Sequence, residues 1–255
     1  MNTGLKKRMI IYLLIYLAFG IYIFMKQRSM IYFPTDYQAH SLTEEKLSNN
    51  GETIRVIVLN PGKKNALVYF GGNAETVVRV APEFQHSFTN HTIYLMNYRG
   101  YGGSTGHPTE QALFSDALLL YDTIVKEHQT ISAIGRSLGS GVAVYLAAQR
   151  PLRKLILVTP FDSITRIAQW RFPIYPAGLI LLDKYDSYSR VKQISAATLI
   201  LIAEQDSVIK RRHSQRLANA FPPEQLKCVI IKNAEHNDIP NYAEYYPLIQ
   251  NFLSE

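Results

Sequence analysis

A single cysteine, Cys228, leaves this 255-residue chain without any possible intrachain disulfide, so covalent cross-linking contributes nothing to its fold. Cys228 falls in a run read as a buried strand, which predicts an inert thiol rather than a nucleophile. No His, Cys, Asp and Glu residues cluster at metal-ligand spacing, and the glycine-rich stretch 100–106 lacks the Lys-Ser/Thr ending of a phosphate loop. Internal repeats and low-complexity tracts are also missing, which excludes solenoid and linker architectures. Acidic residues do not occur before Asp36, whereas Lys6, Lys7, Arg8, Lys26 and Arg28 supply five of the positives behind a net charge of +7. The rest of the chain is nearly balanced, so a nucleic-acid partner is not indicated.

Charge is absent altogether from residues 9–25, which are flanked by basic residues on both sides. As a helix this stretch would run roughly 25 Å at about 1.5 Å per residue, within the range that crosses a bilayer. A cleaved signal peptide is the competing reading, but no small-x-small site follows Phe24, which favours an uncleaved anchor. Residues 1–29 are therefore predicted as a signal anchor and residues 30–255 as one folded domain, with membrane lipid as the partner of the anchor. Three basic residues precede the span and two follow it. The positive-inside rule then predicts a single-pass protein with a cytoplasmic N-terminus and an extracytoplasmic domain.

The most informative motif is Gly135-Arg136-Ser137-Leu138-Gly139, between an apolar run at 131–134 and a small-residue helical stretch. A Gly-x-Ser-x-Gly that joins strand to helix forces a strained turn, which lifts the serine hydroxyl clear at the carboxyl end of a sheet. Strands are predicted at 54–59 and 66–70, joined as neighbours by a Pro61-Gly62 turn, and at 92–97, 131–134, 154–159, 198–203 and 227–231. Most are apolar without alternation, as suits strands buried on both faces. Helices are predicted at 75–88, 110–127, 137–149, 213–219 and 245–253. In the second, Leu113, Ala117, Leu120, Tyr121 and Ile124 recur at helical spacing. This alternation implies an α/β fold with a mostly parallel sheet and helices on both faces, which binds ligands at the carboxyl ends of strands.

Those ends carry the candidate chemistry. Residues 66–70 lead into Gly71-Gly72-Asn73-Ala74, a bare-backbone loop suited to donating an amide to an oxyanion. Asp206 follows the strand at 198–203, and His236 follows the strand at 227–231. A serine is a weak nucleophile until an imidazole takes its proton, and a carboxylate must hold that imidazole in the right tautomer. Ser137, His236 and Asp206 are predicted in these roles, with the backbone amides of Asn73 and Leu138 as oxyanion donors. Asp162, Asp183, Asp186 and Asp238 are rival acids; His40, His86, His91, His107, His128 and His213 are the other histidines. Position after the sixth and the last of the predicted strands favours Asp206 and His236. Such chemistry calls for no cofactor and no metal.

Taken together, the nucleophile turn, the Asn97-Tyr98-Arg99-Gly100-Tyr101-Gly102-Gly103-Ser104 loop and His236-Asn237-Asp238 resemble the α/β-hydrolase superfamily. Within it the chain is similar to the membrane-anchored serine hydrolases that include depalmitoylases, lysophospholipases and serine aminopeptidase-like proteins. The resemblance implies an α/β-hydrolase fold, with an antiparallel start to the sheet, and hydrolysis of carboxylic ester or thioester bonds in acyl or lipid-like substrates. Four positions depart from the group's pattern: Gly71 stands where it usually has His before the oxyanion Gly, Asn97 where it has Asp, Ala203 where Gly is common before the acid, and Glu235 where Gly often precedes the base.

Residues 160–189, with Trp170, Phe172, Pro173, Tyr175, Pro176 and a Leu179-Ile180-Leu181-Leu182 run, are too long for a simple turn. Two readings are open: a short cap whose apolar side chains line an acyl pocket, or a connecting helix whose aromatics pack on the core. Trp170 and Phe172 are candidate substrate contacts under the first. Arg136, beside Ser137, could attract an anionic head group, whereas Arg99 is expected to bond carbonyls or Asp116. Amidase or peptidase activity with the same triad, or a silent hydrolase-like binding protein, are the alternatives to an esterase.

Overall fold

The computed structural model describes residues 3–255, so the first two residues of the predicted anchor lie outside it. In chain order the strands are β1 Thr43–Asn49, β2 Glu52–Leu59, β3 Asn65–Phe70, β4 His91–Met96, β5 Thr130–Arg136, β6 Lys154–Val158, β7 Ala197–Ala203 and β8 Leu226–Ile231. The α-helices are α1 Thr3–Ile31, α2 Ala81–Ser87, α3 Glu110–Ile124, α4 Leu138–Gln149, α5 Ile164–Arg171, α6 Ala177–Ile180, α7 Ser187–Arg190, α8 Arg211–Ala218 and α9 Tyr245–Ser254. Among the described residues the strands form one sheet in the order β1-β2-β4-β3-β5-β6-β7-β8. Pairing is antiparallel from β1 through β2 to β4 and parallel from there to β8.

The apolar runs work because alternate residues of one strand serve two cores. In β3, Ala66, Val68 and Phe70 join a cluster with Leu113, Leu120 and Val142 from α3 and α4. Leu67 and Tyr69 face the other way, toward Phe84, Ile249 and Phe252 from α2 and α9. Each fully buried side chain of this size contributes roughly 1.5–3 kcal/mol, which is why the central strands carry no polar face.

One strand pairing differs from the sequence expectation. β2 does not lie beside β3; it pairs with β4, from Val56↔Met96 to Leu59↔Ile93, and β3 sits inside between β4 and β5. The connection 60–64 crosses over the start of β4 rather than closing a hairpin, and the Thr92 hydroxyl accepts from Lys63 N–H and donates to the Asn60 carbonyl. β1 is an addition, a polar edge strand held to β2 by backbone pairing and the Arg55–Glu44 ion pair at 2.6 Å. The opposite edge corrects a second expectation: Cys228 is on β8 but exposed, since an edge strand has a neighbour on one side only.

The predicted helix 75–88 also divides, into a 3-10 turn Val77–Val80 and α2, because Pro82 supplies a helix start at α2 rather than a helix interior. Its first residues, Glu75 and Thr76, are thereby left in the loop. Finally, α1 is long and apolar enough to cross a membrane by length and composition, a test that a signal sequence also passes. Most of it is exposed, yet its last turns pack on the domain, where Ile23 and Gln27 are buried.

Candidate active site

Ser137 occupies the turn from β5 into α4 with φ 50°, a left-handed conformation that a non-glycine residue adopts only where its surroundings impose it. Its N–H donates to the Val158 carbonyl at 2.9 Å, which ties the turn to β6. The flanking glycines are there for space. A Cβ on Gly139 would overlap the Phe70 and Gly71 carbonyl oxygens, and one on Gly135 would meet the Gly139 carbonyl and Ala143. The sharp turn therefore depends on α4 closing against the end of β3.

Three loops at the carboxyl ends of β5, β7 and β8 bring Ser137, Asp206 and His236 together. His236 Nε2 is 2.9 Å from Ser137 Oγ, and His236 Nδ1 is 2.8 Å from Asp206 Oδ2. The second Asp206 oxygen, Oδ1, accepts the N–H groups of Val208 at 2.9 Å and Ile209 at 2.6 Å, which fixes the carboxylate plane. All three side chains are buried. Such an arrangement can pass the serine proton to the imidazole while the carboxylate holds the other ring nitrogen as a donor.

The departures from the usual motif have local answers. Glu235, in place of glycine, accepts the Ser207 N–H at 3.1 Å and so staples the histidine loop to the aspartate loop. Asp238 accepts the Glu235 N–H at 2.7 Å. Asn97 fills the space over Gly102, where a Cβ would overlap its side chain. Ala203 is buried at the end of β7.

The loop after β3 is held by residues whose roles the motif comparison did not assign. Glu75 Oε2 accepts the Gly72 N–H at 2.8 Å, and Glu75 Oε1 accepts the Tyr69 hydroxyl at 2.6 Å. Arg136 pairs with the same carboxylate at 3.2 Å and reaches the Asn237 carbonyl at 3.4 Å. Burial opposes the Arg136 charge, but Tyr69 and Glu75 outweigh it and raise the guanidinium pKa; burial also pushes the Tyr69 hydroxyl well up. From the other side, Tyr98 donates to the Gly71 carbonyl at 2.8 Å and Tyr101 to the Asn73 carbonyl at 2.7 Å. Both tyrosines belong to the 97–104 motif. Glu75 gave no signal because it read as the first residue of a helix.

Two cavities meet at Ser137 and share Asn73 and Val208 in their walls. One, about 440 Å³, is the more polar of the two and is lined by Gly72, Glu75, Arg79, Arg136, His236 and Asn237 among others. The second, about 260 Å³, is apolar, with Phe161, Ile167, Phe172 and Leu181 on one side and Ile23 and Met30 of α1 on the other. Asn73 and Leu138 both border the apolar cavity, and the Leu138 N–H, at the first position of α4, has no acceptor within its own helix. Arg136 thus falls in the polar cavity and Phe172 in the apolar one. Trp170 lies in neither: it is 63% exposed, with the Arg212 guanidinium 3.3 Å from its ring centre.

The rival acids are otherwise engaged. Asp162 pairs with His213 at 2.8 Å, Asp183 pairs with Arg28 at 3.1 Å and accepts the Glu110 N–H, and Asp186 caps α7. Arg99 makes a two-point contact with Asp116, both bonds 2.8 Å, as expected.

Comparison with known proteins bears on this geometry. The family model described as "Serine hydrolase (FSH1)" matches residues 58–246. The chain belongs to the FSH1 serine hydrolase family. That match covers β3 to β8 and every residue of the site except those supplied by α1. An uncharacterized protein of Mycobacterium tuberculosis is 34% identical over 151 residues, 58% of this chain and 53% of that protein. The chain thus spans about half the length of that relative. Human alpha/beta hydrolase domain-containing protein 17B is 28% identical over 204 residues, 77% of this chain and 68% of that protein. Among solved structures, Est1E of Butyrivibrio proteoclasticus has a TM-score of 0.67 at 16% identity, over 81% of this chain and 95% of its own. The Pyrococcus furiosus esterase Pf2001 has a TM-score of 0.66 at 14% identity, over 88% and 98%. At these identities the likeness establishes the α/β-hydrolase fold.

Proposed function

We propose that this family member is a membrane-anchored serine hydrolase that cleaves carboxylic ester or thioester bonds of acyl substrates. One observation carries the reading: the Ser137–His236–Asp206 hydrogen-bond chain stands where a polar and an apolar cavity meet. An ester whose acyl chain fills the apolar cavity presents its carbonyl to Ser137 and its leaving group to the polar side.

In this mechanism Ser137 Oγ attacks the carbonyl carbon as His236 Nε2 takes its proton. The oxyanion accepts the Asn73 and Leu138 N–H groups, an effect worth roughly 3–4 kcal/mol for a donor of this kind. Collapse expels the alkoxide or thiolate, which receives the proton from His236, and leaves an ester on Ser137. Water, deprotonated by the same imidazole, attacks that ester and releases the acid and the free serine. Asp206 stabilises the imidazolium in both halves, and its two backbone donors keep the carboxylate aimed at Nδ1.

Anchoring is supported by the packing of α1. A removable leader needs no contact with the mature domain, whereas here Gln27 accepts the Leu182 N–H at 2.8 Å and Arg28 pairs with Asp183 at 3.1 Å. The basic residues around the span favour an extracytoplasmic domain.

The test is hydrolysis of p-nitrophenyl esters of increasing chain length by detergent-solubilised wild type and Ser137→Ala. Ser137-dependent hydrolysis with a long-chain optimum is expected. Full activity in Ser137→Ala would overturn the assignment, and inactivity of folded wild type would favour a silent binding protein.

A further inference from the structure

The segment 160–189 contacts α1 far along its length. Tyr16 stacks on Tyr175 with ring centres 4.6 Å apart, its hydroxyl donates to the Ile174 carbonyl at 3.0 Å, and the Tyr175 hydroxyl donates to the Tyr16 carbonyl at 2.8 Å. Gly20 leaves the room this ring needs, since a Cβ there would sit 3.0 Å from it. Tyr16 lies nine residues before Met25, the end of the uncharged run. At about 1.5 Å per residue, that places the turn around Ile174 about 14 Å along the span, against a leaflet of roughly 15 Å.

The turn is built for such a place. Ile174 is 69% exposed and Leu179 87% exposed, so their side chains have no protein cover. Yet every carbonyl from Phe172 to Pro176 accepts a hydrogen bond within the protein: from Tyr175 N–H, the Gln169 amide, the Tyr16 hydroxyl, Ala177 N–H and Leu179 N–H in turn. Pro173 and Pro176 have no N–H to satisfy and the Phe172 and Tyr175 N–H groups are both bonded, which leaves the Ile174 N–H as the one backbone polar group of 172–176 without a partner among the described residues. A turn in water has no need of internal partners for its carbonyls, whereas in hydrocarbon each unpaired group is costly. Trp170 under Arg212 fits the headgroup level, where amphipathic rings and basic side chains collect.

We infer that the turn around Ile174, residues 172–176, inserts into the near leaflet beside α1, and that the apolar cavity between α1 and α5 is an acyl-chain site filled sideways from that leaflet. The substrate class is then an acyl ester or thioester whose chain already resides in the bilayer. Helix α1 is part of the site, through Ile23, Gln27, Met30 and Ile31 in the cavity wall. This inference rests on the reading of α1 as a span and of Ser137 as the nucleophile.

The chain has one tryptophan, Trp170, so its intrinsic fluorescence reports insertion without any substitution. Full-length protein in phosphatidylcholine vesicles is compared with vesicles containing lipids brominated at the upper acyl carbons, in wild type and in Ser137→Ala. Quenching by bromolipid with shielding from aqueous acrylamide supports insertion whatever the activity of either protein. Full acrylamide access with no bromolipid effect would overturn it. The shared cavity is tested by Ile23→Phe, which should lower the laurate-to-acetate ratio of p-nitrophenyl ester hydrolysis by at least about tenfold, the scale on which a hydrophobic pocket discriminates single groups. Met25→Phe, on the outward face of the same turn at 75% exposure, should keep the wild-type ratio. An unchanged ratio in Ile23→Phe would remove α1 from the acyl site, while loss of Ser137 dependence with Trp170 still quenched would overturn the nucleophile and leave insertion standing.

Discussion

Among the described residues, two buried histidine–aspartate pairs have the same 2.8 Å Nδ1–carboxylate distance, His236–Asp206 and His213–Asp162. What surrounds each differs. Asp206 receives two backbone N–H groups on Oδ1 and the imidazole on Oδ2, and the far nitrogen of His236 meets Ser137 Oγ. Asp162 accepts one backbone N–H, from Ser163 at 2.8 Å, and is flanked by Arg166 and Arg216, each 3.3 Å away, and its histidine sits in α8. In the first pair the carboxylate charge is left for the imidazole that abuts a hydroxyl. In the second it is shared with two guanidinium groups and ties the base of α5 to α8. A histidine–aspartate distance alone therefore says nothing of catalysis; the far nitrogen and the competing cations decide.

Exchanging the two carboxylates for amides separates these roles most sharply. Asp206→Asn should lower kcat by about 10⁴-fold, the scale expected when the imidazole is held in the wrong tautomer, with little change in Tm. Asp162→Asn should do the reverse: about 3 kcal/mol of stability lost, as for a broken buried ion pair, and a Tm drop on the order of 10 °C, with kcat per folded molecule retained. Parallel thermal melts and single-substrate kinetics check both. A kcat collapse in Asp162→Asn with an unchanged melt would make Asp162 the working acid.

Next in size is Glu75→Ala, which frees the Gly72 amide and leaves Arg136 without its carboxylate. We expect kcat to fall about 100-fold, as for a small misplacement of the reacting groups, with KM changed less. Equal losses on ester and on fluorophosphonate labelling rate would agree with a displaced oxyanion loop; a change confined to KM would assign Glu75 to substrate binding. Smallest is Glu235→Gly, which removes the staple to Ser207 and restores the residue usual at that position. About 1 kcal/mol of stability should be lost, a Tm shift of a few degrees, with activity within twofold.

Legibility followed burial. β3, β5, β6 and β7 could be read because strands covered on both faces must be apolar throughout, and the turn at Ser137 because only glycine fits beside it. β1 was invisible, since an edge strand of sequence TEEKLSN owes its place to backbone pairing. Cys228 was misjudged for the same reason at the other edge. The β2–β4 pairing and the hold of Glu75 on Gly72 depend on contacts between segments that local pattern does not encode. Trp170 is a candidate substrate contact only under the cap reading, and its outward position beside Arg212 is set by the fold and not by local pattern.

The proposed mechanism depends above all on Ser137 as a nucleophile activated by His236. The most direct measurement is fluorophosphonate labelling of the full-length protein with mass-spectrometric localisation of the adduct, in wild type, His236→Ala and His213→Ala. The expected result is one adduct on Ser137 in wild type and His213→Ala, with the labelling rate abolished in His236→Ala. An adduct on another residue, or labelling of Ser137 that survives loss of His236 but not of His213, would contradict it.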